Sequence, residues 1–341
     1  MVPSLSLHVQ EPAAPEKPWV VLIHGLGMSH RAWIDPFGER LLRGAISFDY
    51  VLTDLRPSST PSKLPAAGIF ACSPPLRFTK PPPLSFWEFL KGEGYGILTW
   101  SQEKSRGPIE HAIGELQTLL AKIPHREKKV LLGHSRGGLV ARKYLQERRP
   151  GWDRVSGVVL LGAPNHGSRI AKLSGILECL SPLFGAAKNP HSQTPKNNES
   201  GFHSLLIRTL AGYPREAAID ELAPRSEFIR ALTSGEREER KNKIPYFSLI
   251  GTRTDFIRIY LRPSSAGRAK PIFSLFDSLE RILPRFLIPV EIQQGRGDGQ
   301  VSVKSAHLLW AERTQLLPVN HAQFLVDTEV RIKTKSFLKT L

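Results

Sequence analysis

The sequence predicts an α/β fold, in which a mostly parallel central sheet carries helices on both faces. One observation is that short apolar runs typical of buried strands recur along the chain: 19–23, 48–52, 97–100, 129–132, 158–161, 246–250 and 315–319. Another is that helix-like stretches separate many of these runs: 31–43, 84–91, 108–123 and 138–145. Because parallel strands need long crossover connections, this alternation favours a parallel sheet covered on both sides.

The predicted domain organisation follows from the places where this alternation breaks. Residues 1–168 form the first part of the core, interrupted by an excursion over 56–94 that begins rich in Pro and Ser. Residues 169–243 contain two apolar helix-like pieces around a polar stretch, which predicts an inserted helical lid or cap. Residues 244–341 complete the core and include a predicted amphipathic helix over 272–287.

The charge of the chain bears on its partners. The 341 residues carry a net charge of +16, with a pI near 10.0. Such a basic balance is compatible with anionic partners. Lys and Arg are scattered, however, and no DNA- or RNA-binding motif is present. The sequence therefore predicts no specific nucleic-acid partner and leaves weak association with lipid surfaces open.

Targeting signals and cysteines give a second set of expectations. No run reaches the length of a membrane span, and the first residues lack the basic start and apolar core of a secretory signal. We therefore expect a cytoplasmic protein without an integral membrane segment, while secretion stays open if an export signal lies outside this sequence. Cys72 and Cys179 provide no disulfide framework and are interpreted as reduced thiols.

The most specific motif is Gly133-His134-Ser135-Arg136-Gly137, which lies between a strand-like run and a helix-like run. A serine on such a tight strand-to-helix turn, with a glycine two positions away on each side, has the pattern of a nucleophile elbow. The glycines allow close approach of neighbouring backbone, and the N-terminus of the following helix favours developing negative charge. Ser135 is therefore the predicted nucleophile, and His134 is interpreted as structural.

A serine hydroxyl needs a positioned base, and after an elbow the acid and then the histidine follow along the chain. His321 is the preferred base because it follows the last predicted strand, with His166 and His307 as alternatives. Asp298 is the preferred acid because glycines around it allow an irregular loop, with Asp255 as its rival. In this chemistry His321 takes the proton of the serine, Asp298 holds the imidazole tautomer, and water resolves an acyl-enzyme.

The tetrahedral intermediate of such a reaction needs two preorganised N–H donors for its negative oxygen. One is expected from the backbone of Arg136, the residue after the nucleophile. The other is expected from the backbone of Leu26, in the loop after the first core strand. Since the backbone donates in both cases, no special chemistry is expected of these two side chains.

Together the motifs resemble those of α/β-hydrolases in the bacterial triacylglycerol lipase and esterase group, which is related to inositol-deacylase-like hydrolases. The similar segments follow the order of that family: 24–27, 133–138, 162–168, 297–301 and 320–321. The resemblance covers most of the chain outside 56–94 and 169–243. It implies the α/β-hydrolase fold, and it favours Asp298 over Asp255 because the family's acid lies in the Asp-Gly-x-Val segment.

The resemblance implies a serine carboxylic-ester hydrolase, an esterase or lipase that acts on small-molecule or lipid esters without a cofactor. An acyltransferase, thioesterase or amidase with the same three residues stays open, as does a non-catalytic ligand-binding protein of this fold. Many members carry a calcium-binding aspartate two residues after the histidine, where this chain has Gln323. A neutral amide contributes less to a hard cation site, so no bound metal is predicted.

Overall fold

The computed structural model describes residues 6–36, 40–41, 46–47, 68–72, 84–147, 153–169, 217–254, 258–262, 270–274, 284, 286 and 288–341. Its strands, in chain order, are β1 (Leu7–Gln10), β2 (Trp19–Ile23), β3 (Arg40–Leu41), β4 (Ile46–Ser47), β5 (Gly68–Cys72), β6 (Gly96–Trp100), β7 (Lys129–His134), β8 (Val155–Leu161), β9 (Tyr246–Gly251), β10 (Arg258–Arg262), β11 (Lys270–Ser274) and β12 (Arg313–Leu317). Its helices are α1 (Arg31–Ile34), α2 (Phe86–Gly92), α3 (Ile109–Leu120), α4 (Arg136–Glu147), α5 (Ala217–Glu221), α6 (Glu227–Ser234), α7 (Glu236–Lys241), α8 (Val303–Ala306) and α9 (Thr328–Leu338).

The main sheet has seven strands in the spatial order β1-β6-β2-β7-β8-β9-β12. β1 runs antiparallel to β6, and every other neighbouring pair in this sheet is parallel. There are two smaller antiparallel sheets: in one, β10 lies between β11 and β5, and in the other, β3 pairs with β4. The carboxyl ends of the parallel strands meet at one edge of the main sheet, and the loops that follow β2, β7, β9 and β12 therefore converge there.

The hydrophobic core lies on both faces of the sheet, as strand geometry dictates. Successive side chains of a strand point to opposite faces, so Val20 and Leu22 pack on one side while Val21 and Ile23 pack on the other. Helices α1, α2 and α9 cover the first face, and α3, α4 and α6 cover the second. Each fully buried aliphatic side chain contributes about 1.5–3 kcal/mol, so this double burial fixes the strands and the loops at their ends.

The predicted mostly parallel sheet with helices on both faces is confirmed, but the predicted helix over 31–43 is wrong beyond its first turn. The helix ends at Ile34, and Arg40–Leu41 is a strand paired with Ile46–Ser47. The reason lies at Asp35, which has φ −138° and ψ 71° and precedes Pro36. A proline ring disfavours helical geometry at the residue before it, so the helix cannot continue.

The predicted amphipathic helix over 272–287 is wrong at its start, where Lys270–Ser274 forms a strand. This strand pairs with β10, and β10 also pairs with β5. Backbone hydrogen bonds to a neighbouring strand thus override a local spacing of apolar residues that also fits a helix. Most of the remainder of this predicted helix, and the predicted strand over 48–52, lie outside the described residues.

The predicted lid or cap over 169–243 is described only at its ends, since 170–216 lies outside the described residues. In the part from 217 onward, the side chains of Phe228, Ile229 and Leu232 in α6 belong to the same hydrophobic core as those of α3 and α4. The cap therefore stays a prediction for the residues before 217.

Among the described residues, no helix combines the length and the apolar composition needed to cross a bilayer.

Candidate active site

Ser135 lies on a strained turn between β7 and α4. Its φ is +54°, in the left-handed region that costs a residue with a Cβ atom about 1–3 kcal/mol. The turn is held by two hydrogen bonds, from Ser135 N to Leu161 O at 2.9 Å and from Gly138 N to Ser135 O at 3.0 Å. The serine directly follows the last residue of β7, so it lies at the carboxyl edge of the sheet, where it is 8% exposed. This is the geometry that the elbow motif predicts.

The elbow glycines are required by close packing. A Cβ atom on Gly137 would lie 2.2 Å from the carbonyl oxygen of Ile23, at the end of β2. A Cβ atom on Gly133 would lie 2.5 Å from the carbonyl oxygen of Gly137. Such contacts are far inside van der Waals distance, so only glycine lets the start of α4 rest directly on two strands. The helix N-terminus is thereby fixed beside Ser135.

Asp298 and His321 are brought together although 23 residues separate them. Oδ2 of Asp298 accepts a hydrogen bond from Nδ1 of His321 at 2.8 Å, and both side chains are buried. Oδ1 of Asp298 accepts from the backbone N–H groups of Gln300 and Val301, at 2.9 and 2.7 Å. The amide of His321 also donates to Asp298 O at 2.9 Å. The loop before α8 and the loop after β12 are thus joined through both backbone and side chains.

Two glycines at strand ends leave room for this acid. A Cβ atom on Gly251, the last residue of β9, would lie 2.6 Å from the Cβ atom of Asp298. A Cβ atom on Gly162, which follows β8, would lie 3.0 Å from Oδ2 of Asp298. The carboxylate therefore occupies a space that larger residues at these strand ends would fill.

His134 connects the elbow to the loop of His321. Its Nε2 donates to the carbonyl oxygen of His321 at 2.9 Å, and the two rings lie 4.8 Å apart. Burial lowers the pKa of His134 well below its ordinary value, so the ring is neutral. The fixed geometry agrees with the structural interpretation of His134, and it sets His321 next to the turn that carries Ser135.

The loop after β2 lies against the nucleophile. A Cβ atom on Gly25 would lie 3.2 Å from the Cβ atom of Ser135. Leu26 and Gly27 form a turn in which Gly27 has φ +65° and donates its amide to Ser105 O at 3.1 Å. The two segments that carry the predicted backbone donors, at Leu26 and Arg136, therefore flank the same serine.

The side chain of Arg136 is a feature that the sequence analysis missed. It is completely buried, and it donates from Nη1 to Gln102 Oε1 at 2.8 Å and from Nη2 to Gly107 O at 2.7 Å. Gln102 in turn contacts His24, which precedes Gly25. One signal in the sequence could have revealed this burial: Arg136 lies at the start of a helix, and the positions around it are apolar or glycine. A charged side chain in such a segment is rarely buried without hydrogen-bonding partners.

The rival residues are placed differently. His166 is exposed, and His307 caps the C-terminus of α8 at intermediate burial. Asp255 lies outside the described residues.

The metal prediction rested on Gln323, which is buried within a turn. Its Oε1 accepts from Asn320 N at 2.9 Å, and its backbone N–H donates to Asn320 Oδ1 at 3.0 Å. Within the described ranges, no group of three or more His, Cys, Asp or Glu side chains is arranged to hold a metal ion.

Comparison with known families agrees with this architecture. Residues 18–178, which include the loop after β2 and the elbow, match the family model for the alpha/beta hydrolase fold. Together with the order of the strands in the sheet, this match shows that the chain has the α/β-hydrolase fold. The parallel strands, the serine turn after β7 and the Asp298–His321 pair after later strands follow the arrangement that this fold predicts.

Two curated relatives and one solved structure illustrate the similarity. The GPI inositol-deacylases of Emericella nidulans and Aspergillus fumigatus are 28% identical over 121 and 120 residues, which cover 33% of this chain. The match spans only 10% of the length of either relative. The mature form of a Bacillus licheniformis lipase is 17% identical, with a TM-score of 0.54, and the alignment covers 98% of this chain and 97% of that one. At this identity the likeness shows the fold.

Proposed function

We propose that this protein hydrolyses carboxylic esters through an acyl-enzyme, with Ser135 as nucleophile, His321 as base and Asp298 as acid. The observation that carries the proposal is the 2.8 Å hydrogen bond between Asp298 and His321 beside the strained turn of Ser135. A nucleophile, a base and a group that orients the base are the three parts that activation of a serine hydroxyl requires.

The hydrogen bond with Asp298 determines the role of each nitrogen of the His321 imidazole. A carboxylate can only accept a hydrogen bond, so Nδ1 of His321 carries the proton at that contact. Nε2 is then the basic nitrogen, free to take the proton of Ser135 as the hydroxyl attacks an ester carbonyl. The carboxylate stabilises the resulting imidazolium, which later returns the proton to the leaving alcohol.

The charge that develops on the carbonyl oxygen needs donors on the other side of the serine. The backbone N–H of Arg136 is one, since the first N–H groups of a helix have no partner within it. The backbone N–H of Leu26 is the other, because its loop packs against Ser135. One such donor is worth about 10²–10³-fold in turnover.

Acyl esters of lipids or small molecules are the substrate class we propose. The relatives are named as a lipase and as inositol-deacylases, and both names concern acyl groups. The part of the predicted cap that precedes residue 217 would supply the apolar side chains of an acyl pocket, since ligand sites are concave and mostly apolar. The exposed basic residues add weak attraction to anionic lipid surfaces.

The test is hydrolysis of p-nitrophenyl acetate, butyrate and octanoate together with labelling by a fluorophosphonate probe. Wild-type protein should turn over an ester and be labelled at Ser135. Ser135→Ala should lose labelling and about 10⁵-fold or more of turnover, because the attacking group is gone. Ser156→Ala, a serine of β8 that contacts Lys129 O, is the matched control and should stay active. A folded Ser135→Ala protein with wild-type turnover would contradict the proposal.

A further inference from the structure

We infer that the buried side chain of Arg136 is a positioning residue for the backbone N–H of Leu26. It acts through a series of hydrogen bonds, here called the relay, that is formed by Arg136, Gln102, His24 and the carbonyl oxygen of Gly25. The inference rests on the proposed function, because it names what sets one of the two proposed oxyanion donors.

The first link of the relay is the contact between Arg136 and Gln102. A guanidinium group has donors and no acceptor, so the Gln102 atom 2.8 Å from Nη1 is the amide oxygen. The oxygen and the nitrogen of a side-chain amide are nearly indistinguishable by shape. The contact with Arg136 determines which of the two Gln102 atoms faces the guanidinium. The second Arg136 donor is bound by Gly107 O at 2.7 Å, which holds the guanidinium in one place.

The second link is the contact between Gln102 and His24. With its oxygen turned to Arg136, Gln102 directs its Nε2 to the carbonyl oxygen of His24, at 3.1 Å. The backbone N–H of Gln102 donates to Nε2 of the His24 ring at 3.0 Å. Because that ring nitrogen accepts, the proton of the neutral imidazole must be on Nδ1. Gln102 therefore sets both the place and the tautomer of His24.

The third link reaches the backbone. Nδ1 of His24 donates to the carbonyl oxygen of Gly25 at 2.9 Å, whereas the turn bond from Met28 N to the same oxygen is longer, at 3.4 Å. In a trans peptide the C=O and the following N–H point in opposite directions. A fixed Gly25 carbonyl therefore fixes the direction of the Leu26 N–H. A donor on the carbonyl also polarises the same peptide group, which strengthens that N–H as a donor.

The His24 ring of the relay stays neutral under ordinary assay conditions. Burial lowers the pKa of His24 to about 4, so the ring is neutral near pH 7 and its Nε2 stays an acceptor. The peptide that it orients lies beside Ser135, as the close approach of Gly25 requires. Arg136 thus contributes to both halves of the proposed oxyanion site, one through its backbone N–H and the other through its side chain.

The relay is tested with Gln102→Met, which keeps the backbone N–H and the approximate shape but removes the amide, and with Arg136→Met. Turnover of p-nitrophenyl butyrate should fall about tenfold or more in both variants, as part of the 10²–10³-fold that loss of a whole donor costs. KM should change little. The affinity for a trifluoromethyl ketone, which binds serine as a charged tetrahedral adduct, should weaken by a similar factor to kcat.

Arg331→Met is the matched control for removing a buried arginine. Arg331 is buried in α9 and donates to Val326 O at 2.8 Å and to Thr328 Oγ1 at 3.0 Å, outside the relay. Its replacement should lower the free energy of unfolding while kcat and the affinity for the ketone stay near wild type. A purely structural role of Arg136 would give the same pattern as this control.

The outcomes separate the relay from the proposed function. Wild-type protein that neither hydrolyses esters nor reacts with the fluorophosphonate overturns the proposed function and the relay with it. Active wild type, with a folded Gln102→Met variant of unchanged kcat and ketone affinity, overturns the relay alone. If Met at position 102 or 136 prevents folding, Gln102→Glu is the variant that tests the relay, since its carboxylate keeps an acceptor for Arg136 but cannot donate to His24 O. The kcat of Gln102→Glu should also fall, and a kcat equal to that of wild type would overturn the relay.

Discussion

The two sides of the candidate site each hold a buried histidine, but in different ways. On the acid side, His321 has one ring nitrogen bound by the Asp298 carboxylate. On the side of the loop after β2, both ring nitrogens of His24 are bound, by the backbone of Gln102 and of Gly25. The first arrangement leaves a nitrogen for chemistry, and the second leaves none.

The difference shows how partners decide what a histidine can do. A carboxylate stabilises the imidazolium form, so a ring beside it can accept a proton during a reaction. At His24 burial has the largest effect and outweighs the hydrogen bond to the Gly25 carbonyl, which raises the pKa, so the pKa of His24 is lowered to about 4. We therefore expect substitutions on the acid side to affect chemistry first, and those on the other side to affect geometry and stability as well.

Among the changes that compare these two sides, Asp298→Asn should have the largest effect. An amide can present a donor to Nδ1 of His321, which favours the wrong tautomer, so kcat for p-nitrophenyl butyrate should fall by about 10³–10⁴-fold. Asp255→Asn is the comparison variant and should have a much smaller effect. The reverse ranking would transfer the role of the acid to Asp255.

A second substitution tests whether the other side depends on packing. Gly137→Ala would bring a Cβ atom within 2.2 Å of Ile23 O, just before the loop of His24. Since backbone must move, the free energy of unfolding should fall by about 3 kcal/mol or more, as measured by urea denaturation. Gly114→Ala, in an open position of α3, is the control and should raise that free energy by about 0.5–1 kcal/mol. Equal effects of the two substitutions would refute the packing argument.

The smallest expected effect is a dependence of stability on pH that comes from His24. Its folded pKa of about 4 lies below the ordinary value of 6.5, so between these values the unfolded chain binds more protons. This stability is complete above pH 6.5 and is lost as the pH falls towards 4, by up to about 3 kcal/mol.

Urea denaturation of wild type and His24→Gln between pH 4 and 7 measures this dependence. The variant should show a shallower decline of the unfolding free energy with acid. Some decline should remain, because burial lowers the pKa of His134 in the same way. Parallel curves for the two proteins would show that His24 does not titrate as its burial requires.

The central strands were predictable because their sequences satisfy one dominant requirement. β2 and β7 to β9 are buried on both faces of a parallel sheet, so they read as continuous apolar runs. The edge strand Leu7–Gln10 was not predicted, since only one side of it is paired and its burial is mixed. Residues 272–274 were predicted as the start of a helix because the apolar residues from 272 onward have a helical spacing, and the pairing of Lys270–Ser274 with β10 leaves no signal in the local sequence.

The candidate site was predictable to a similar extent. Ser135, Asp298 and His321 lie in segments whose motifs follow a family order, so each could be named before its surroundings were known. No pattern in the sequence relates Gln102 to His24 or to the side chain of Arg136, since their contacts arise only when the loops after β2 and β6 meet α4. Hydrogen bonds between distant loops have no sequence period.

The order of strands in the sheet has a consequence for biosynthesis. His321 follows β12, which pairs with β9 at the edge of the sheet and comes last of the seven strands along the chain. A nascent chain on the ribosome therefore has its serine turn more than 180 residues before its histidine. Because parallel pairings are non-local, they form slowly compared with local contacts. Under the proposed chemistry, a chain still being translated carries a nucleophile without its base, and hydrolytic competence arises only when the final strand docks.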